Sequence, residues 1–494
     1  MLCVGFVRDQ CDKGIDVNHS AWVLHSVWLG GEMPLRNWAN LWQLADRFEQ
    51  AQATAGDDTP LMPLLWLDAS AWQYAANSSW LPVQVTQAVP VPWQAACARS
   101  LGAHAKHCRW LSVNLHGRAQ CVPVLVYEDM QAVLALRTED VALADPYLRA
   151  ATQTPAGWAL LTQELALVPQ APAWGCEASD VAAFYALLVD HVRQHWASHG
   201  LLCLASDIVR LQVLARWPGA YVDLGDVAGL LPTLPTARTS PNAHHVFCGH
   251  HTVAIENDLM FCREAGFVHA LLLGMYGAIR RTFMGMAAKL GVATQGLGLA
   301  QVAQVVLPQL DARMPMKLDV ARMFDAPHTV LLEYINMAYG AAPQFGHEAV
   351  VAPYLGARPV KGHLIDHVGG FTAYQKLAHL LMPNNAHTWA HYAPSLGLEH
   401  YAPQLGWKVQ GFGTLDRFIH DGRLLRDASP LADWAHAELV RLGQGLGLEA
   451  SQARTLAVFA AKAYDQMKDA YFDPTQRAQC AARLVAQAHA LSRG

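Results

Sequence analysis

The sequence has no surplus of basic charge: 35 lysines and arginines face 40 aspartates and glutamates, a formal net charge of −5 with neutral histidines. That excludes nucleic-acid binding carried by bulk charge. Charged residues are scarce altogether, 15% against 53% hydrophobic, which excludes intrinsic disorder as the main state. No stretch of about 18 apolar residues is free of charge or turn residues. The richest segment, Phe267 to Leu290, is interrupted by Arg280 and Arg281. The positive mean hydropathy, +0.13, comes largely from alanine, and no transmembrane segment is expected. The opening MLCVGFVRDQCDKG lacks a basic start followed by a long apolar run, so no secretory leader is expected. The expected location is the cytoplasm, or outside it by export without such a leader, as for an effector or toxin. Ten cysteines stand at irregular spacings without a CxxC pair, which predicts reduced, buried thiols. There is no internal repeat and no low-complexity tract.

What is present reads as an α/β protein. At 494 residues the chain fits about three structural units, or one large α/β domain with an extension. Ala21 to Trp28 reads as a buried strand ending at Leu29-Gly30-Gly31, where glycine permits a sharp turn. Pro34 to Glu49 carries Leu35, Trp38, Leu41, Trp42 and Leu44 at helical spacing. Met62 to Leu67 is a second apolar strand, closed by Asp68. Strand, glycine turn, helix, strand predicts a βαβ unit and a parallel sheet. Ser179 to His199 predicts a helix with a serine at its start and Gly200 past its end, followed by a helix over Ala205 to Trp217. Pro218-Gly219 stops that helix, and Ala220 to Asp223 is a short strand leading into Leu224-Gly225-Asp226.

Further on, His245 to Cys248 and Val253 to Ile255 read as strands, Gly266 to Ala288 and Gly296 to Asp311 as helical, and Thr329 to Leu332 and Val350 to Ala352 as late strands. Beyond Gly406 three helices are expected, over Leu431 to Leu442, Ser451 to Phe472 and Pro474 to Ser492. The division is therefore a main domain over 15–405 and a mostly helical extension over 406–494.

Chemistry concentrates in Ala205-Ser206-Asp207-Ile208-Val209-Arg210. Asp207 and Arg210 are three apart on a predicted helix and share a face. Asp223 and Asp226 follow at the end of a buried strand, where α/β sheets place ligands. Carboxylates there suit Mg²⁺ or Mn²⁺, and an arginine can fork onto diphosphate or hydroxyl oxygens. The plainer alternative is a helix-surface ion pair between Asp207 and Arg210 beside a simple turn at Asp223.

The segment LASDIVRLQVLARWPGAYVDLGDV, from Leu204 to Val227, resembles the sugar-nucleotide signature of the DXD-containing glycosyltransferases. That group includes the large clostridial glucosylating toxins and the outer-chain-initiating mannosyltransferases. Leu24-His25-Ser26-Val27-Trp28-Leu29-Gly30-Gly31 resembles their entry strand. Ile255-Glu256-Asn257-Asp258-Leu259-Met260 and the following Gly266-Phe267-Val268 resemble their asparagine-bearing strand and next helix. The three pieces keep the family's order over about half the chain, Ala21 to Leu273.

The resemblance implies a GT-A type, Rossmann-like mixed sheet with helical insertions. It also implies a retaining, metal-dependent glycosyltransferase that moves a sugar from a nucleotide sugar, a UDP-sugar first, to a protein or saccharide acceptor. Mn²⁺ or Mg²⁺ would be the cofactor. Trp28 would stack on the base, Leu202 would line the donor pocket, and Asp207 and Arg210 would bind sugar hydroxyls. Tyr221 would hydrogen-bond the donor, Asp223 would contact ribose, sugar and metal, and Asn257 would reach the sugar or diphosphate.

Two positions depart from the pattern: Gly225 stands where the second acid belongs, with Asp226 one residue later, and Pro218 replaces the first glycine of a pair. Asp226 as a shifted metal ligand is one reading. A degenerate, glycosyltransferase-like binding protein with an impaired metal site is the other. Ala386-His387-Thr388-Trp389-Ala390-His391 is the candidate for the family's late histidine/tryptophan segment.

Three other features rank lower. His244, His245, Cys248, His250 and His251 have zinc-ligand chemistry, and with it a zinc-hydrolase reading, but strand alternation sends neighbours to opposite faces. Gly296-Leu297-Gly298 lacks the third glycine of a dinucleotide loop. Arg280-Arg281 reads as a solvated break in a helix face, or as a contact for acceptor or anionic lipid.

Overall fold

The structure is a computed structural model of the chain. Its description covers residues 23–31, 33, 35–54, 60–78, 83–115, 118–197, 201–224, 247–250, 255–312, 364 and 368–382. The strands are β1 (Val23–Trp28), β2 (Met62–Leu67), β3 (Val83–Val85), β4 (Arg109–Leu115), β5 (Arg118–Val126), β6 (Gly219–Val222), β7 (Phe247–His250) and β8 (Ile255–Cys262). The helices are α1 (Leu35–Thr54), α2 (Ala69–Asn77), α3 (Val91–Leu101), α4 (Tyr127–Leu134), α5 (Thr138–Thr152), α6 (Pro155–Ala159), α7 (Ala178–His191), α8 (Leu202–Arg216), α9 (Ala265–Lys289), α10 (Leu299–Asp311) and α11 (Phe371–Leu381).

The strands form one mixed sheet in the order β3-β4-β5-β2-β1-β6-β8-β7. Its centre, β5-β2-β1-β6, is parallel, and both flanks are antiparallel. Every residue of β2 and β6 is buried, as a sheet covered on both faces requires. The chain runs from β1 through α1 to β2 on one side of β1; β6, far later in sequence, pairs on the other side. Strand order reverses between β1 and β6, so the carboxyl ends of these two strands flank the crevice where open α/β sheets bind ligands.

The expected βαβ unit is present, and β2 has the expected bounds. Asp68, read as the end of β2, also caps α2, its Oδ1 accepting from Ala71 N–H at 2.8 Å. The α/β class holds, as a mixed sheet.

Other expectations need correction. Helix α7 starts at Ala178, and its cap position, Glu177, makes no side-chain cap bond, so Ser179 is not the cap. Asp180 in its first turn instead crosses to α10, accepting from Leu299 N–H at 2.8 Å and Ala300 N–H at 3.2 Å, a carboxylate on another helix's positive end. Of the strands expected over His245 to Cys248 and Val253 to Ile255, the first residues lie outside the described ones; β7 is described over Phe247–His250, and β8 runs past Ile255 to Cys262, because pairing of Val222 with Leu259 through Gly219 with Cys262 carries it on. Arg281 is exposed and Arg280 half-buried, in keeping with a solvated break in the apolar face of α9; Arg280 Nη1 also donates to Gly175 O at 3.0 Å and Arg281 Nη1 to Gln163 O, which ties the helix to the short helical turns Pro172–Gly175 and Leu160–Glu164. The expected strands near Thr329 and Val350 and the extension over 406–494 lie outside the described residues. Among the described residues, no helix is long and apolar enough to cross a membrane.

Glu264, at the start of α9, accepts from the Tyr147 hydroxyl and is pushed up by burial to about 7. The folded protein thus holds this proton more tightly than an unfolded chain, whose value is 4.5. The stabilisation is complete below about 4.5 and is lost as pH rises through about 7. Glu264→Gln is expected to flatten that part of the melting-temperature profile and to raise the melting temperature at pH 8. A profile as steep as wild type's would show that another group sets it.

Candidate functional site

Helix α8 is nearly all buried, so its two charged residues at mid-length, Asp207 and Arg210, are held inside the fold. Their spacing sets both on the side facing β6 and β8. Arg210 is 5% and Asp207 9% exposed, which overturns the helix-surface ion pair. The guanidinium is a hub. Its Nη2 lies 3.1 Å from Asp207 Oδ1 and 3.4 Å from Asp223 Oδ1. Nη1 donates to Asn257 O at 2.7 Å and to Asn257 Oδ1 at 3.1 Å. Nε and Nη2 donate to Ser206 O and Oγ, each at 3.3 Å. Its carbon sits 4.7 Å from the Tyr221 ring centre, a cation–π arrangement.

The partners bind one another. Tyr221 Oη donates to Asp223 Oδ1 at 2.5 Å, and Asn257 Nδ2 donates to Asp207 Oδ1 at 3.1 Å. Asp223 N–H donates to Asp258 O at 2.8 Å, which ties the end of β6 to β8. Burial opposes the Arg210 charge, yet Asp223, Tyr221, Asp207 and Asp258 together hold its pKa above the ordinary value. Burial also raises Tyr221 well above the usual phenol range, Arg210 opposing and Asp223 reinforcing, so Tyr221 is a neutral donor. Asp223 differs from the rest of the cluster. Its side chain is 34% exposed, so a carboxylate already oriented by Tyr221 and Arg210 still meets solvent at the sheet's carboxyl edge.

Trp28 ends β1 at that same edge. The register pairs His25 with Tyr221, and Ser26 Oγ donates to Val222 O at 3.0 Å, which aligns the last turns of the two strands. The indole is partly buried, and its Nε1 has no hydrogen-bond partner among the described residues. Leu202 packs on the turn that follows: a Cβ on Gly30 would lie 2.3 Å from Leu202 Cδ1. Gly30 holds φ +84°, a conformation that favours glycine there. The structure therefore brings Asp207, Arg210, Tyr221, Asp223 and Asn257 into direct contact. It sets Trp28 at the end of the neighbouring strand β1, and Leu202, the first residue of α8, against the Gly30 turn. Asp226, Gly225, His387, Trp389, His244, His245 and His251 lie outside the described residues. Cys248 and His250 are two apart on β7, and among the described residues no three potential ligands form a metal-binding group.

His25, in the entry motif, is structural. Its Nε2 meets Trp217 O at 2.9 Å and its Nδ1 accepts from Trp66 Nε1 at 3.1 Å, which assigns the proton to Nε2. Burial drives its pKa down to about 4, with Trp217 O opposing, so it stays neutral.

Sequence spacing missed the support under Trp28. Gly30 N–H donates to Asp68 Oδ2 at 2.9 Å and Gly31 N–H to Ser70 Oγ at 2.8 Å. Asp68 is in turn held by Arg193 Nε at 2.9 Å, and Arg193 also binds Glu128 and Asp190. Asn40 Nδ2 donates to Leu224 O at 2.5 Å and pins the loop beyond β6. The Asp190/Arg193 spacing was a detectable helix pair; the link to Asp68, 125 positions away, was not.

Compared with family models, with characterised proteins and with solved structures, the chain finds no match.

Proposed function

We propose that the protein is a retaining glycosyltransferase with a GT-A type nucleotide-sugar site, using a UDP-sugar first. One observation carries the reading: an arginine, two aspartates, a tyrosine and an asparagine, from α8, from β6 and the residue after it, and from β8, meet at the strand-order reversal of a mixed sheet, next to the strand that Trp28 ends. Trp28 would stack on the base, at about 1–3 kcal/mol for such a contact. Leu202 would line the donor cavity. Asp207 and Arg210 would hold sugar hydroxyls, with Asn257 keeping both in place. Asp223 would hold ribose and sugar from the solvent edge.

A Mn²⁺ or Mg²⁺ ion fits if the donor supplies the remaining oxygens, because Asp223 alone among the described members of the cluster is substantially exposed. Asp226 is the second candidate ligand. Such an ion would stabilise the charge that develops on the diphosphate. In the reaction the anomeric carbon–oxygen bond breaks, its electron pair leaves with the diphosphate, and the acceptor oxygen bonds the same face. The departing diphosphate takes the acceptor's proton, so no protein base is assigned. The acceptor is a protein or a saccharide.

The degenerate-binder reading is favoured by Gly225 and by the pairing of Asp223 with Arg210 and Tyr221, which already satisfies one of its oxygens.

A panel of nucleotide sugars with Mn²⁺ or Mg²⁺, read by UDP or GDP release, decides between them. Metal-dependent UDP release is expected, with Asp223→Ala slower by at least about tenfold, the scale of one charged contact. Asp226→Ala slows release if Asp226 is a ligand and leaves it unchanged if it is not. Tight UDP binding with no turnover and no metal effect would replace the transferase with the binding protein.

A further inference from the structure

Away from this site, Cys97 lies in the second half of α3 and Cys108 directly precedes β4. The 3₁₀ turn Gly102–His107 folds the chain back between them. The Cys97 thiol donates to Cys108 Sγ at 3.8 Å, and both are free thiols. A disulfide bond is about 2.05 Å long, so the sulfurs need approach each other by only roughly 1.8 Å. Both line a cavity of about 590 Å³, together with Trp72, Trp110, Lys106 and Arg109. Cys97 is buried and Cys108 half-buried, so Cys108 is the more accessible of the two residues. Lys106 is exposed and places a cation at the opening, while the Arg109 side chain, 39% exposed, is already paired with Asp129 at 2.7 Å.

We propose that Cys97 and Cys108 are a redox pair, which a small anionic disulfide of the glutathione type, entering this cavity, converts to an intramolecular disulfide. Cys108 sulfur attacks one sulfur of the oxidant, whose S–S bond breaks. One glutathione leaves, carrying the proton Cys108 gave up, and the other remains bonded to Cys108. Cys97 sulfur then attacks Cys108 sulfur, and the second glutathione leaves with the proton of Cys97. One disulfide is reduced and two protein thiols are oxidised.

The order follows from the geometry. The hydrogen bond to Cys108, followed by burial, holds the Cys97 thiol above its ordinary pKa, so it keeps its proton until Cys108 has reacted. Lys106 would receive a carboxylate of the tripeptide.

The test treats the full chain with glutathione disulfide or with the neutral hydroxyethyl disulfide, followed by acid quench, alkylation and peptide mass spectrometry. Wild type is expected to yield the Cys97–Cys108 linked peptide. Cys97→Ser is expected to accumulate glutathione on Cys108. Lys106→Glu is expected to slow the glutathione reaction several-fold and to leave the neutral oxidant unaffected. Glutathione persisting on Cys108 of the wild type, or other cysteines reacting first, would overturn the pair. Equal slowing of both oxidants by Lys106→Glu would overturn the cationic entry.

Discussion

Arg210→Ala is expected to lose both UDP release and much of the fold's stability. The guanidinium reaches Asp207, Asp223, Asn257 and Ser206 from the interior, and its removal strands Asp207 in a site where it is 9% exposed. Breaking a buried pair by removing one partner costs about 3–5 kcal/mol, because the other charge stays buried. Arg210→Lys keeps the charge but not the fork, since an ammonium cannot serve the Asn257 oxygens and two carboxylates at once. It should fall between wild type and alanine in melting temperature, with UDP release still down by at least about tenfold.

Stability and chemistry are then separated by a second substitution. Asp207→Asn in the Arg210→Ala background removes the stranded charge, so melting temperature should partly recover. Activity should not, because the pair proposed to bind the sugar is gone. Recovery of both would mean that Arg210 only holds the fold together. Normal UDP release by Arg210→Ala itself would move the site elsewhere. Neighbouring groups of this kind are not additive, so the double variant carries the information.

The parts legible in the sequence share a cause. β2 stands at its expected bounds because an uninterrupted apolar run bounded by turn residues leaves few options, and Met62–Leu67 is buried throughout. The Asp207/Arg210 pair and the Tyr221–Asp223 end of β6 were visible because helical and strand periods fix which residues share a side. Elements defined by a distant partner were not. β8 outlasts its β-branched start because β6 pairs with it as far as Cys262. Strands β3 and β4 add antiparallel to the edge at β5, and the stretch from Ala69 to Glu177 carries no motif that announces them. Arg280 and Arg281 read as solvated because charge on a helix usually is, and Arg281 is exposed; their bonds to the carbonyls of Gly175 and Gln163 were not legible, because those residues belong to other parts of the chain. Leu202 could be proposed by likeness alone, whereas its fit against Gly30 needs coordinates.

The seam between β1 and β6 is where fold and site are one object, and Gly219→Val is expected to open it. A Cβ at position 219 would lie 2.1 Å from Val23 O, 2.8 Å from Val23 N and 3.0 Å from Val23 C. These are backbone atoms of β1 at the first rung of the ladder, so no side chain can swing away to make room. Overpacking in a tight core costs about 1–3 kcal/mol and occasionally more. Against unyielding backbone, Gly219→Ala should sit at the upper end of that range and Gly219→Val beyond it, with soluble yield falling. Separation at Gly219 would carry Tyr221, two residues on, away from the Arg210 guanidinium, so nucleotide binding should fail in whatever protein stays folded. Pro218→Gly is the control: it changes the adjacent turn residue without adding an atom to the seam, and should melt within a few degrees of wild type. If Gly219→Val matches wild type in melting and UDP binding, β6 does not lie against β1 as described, and the pairing that sets the ends of the two strands side by side goes with it.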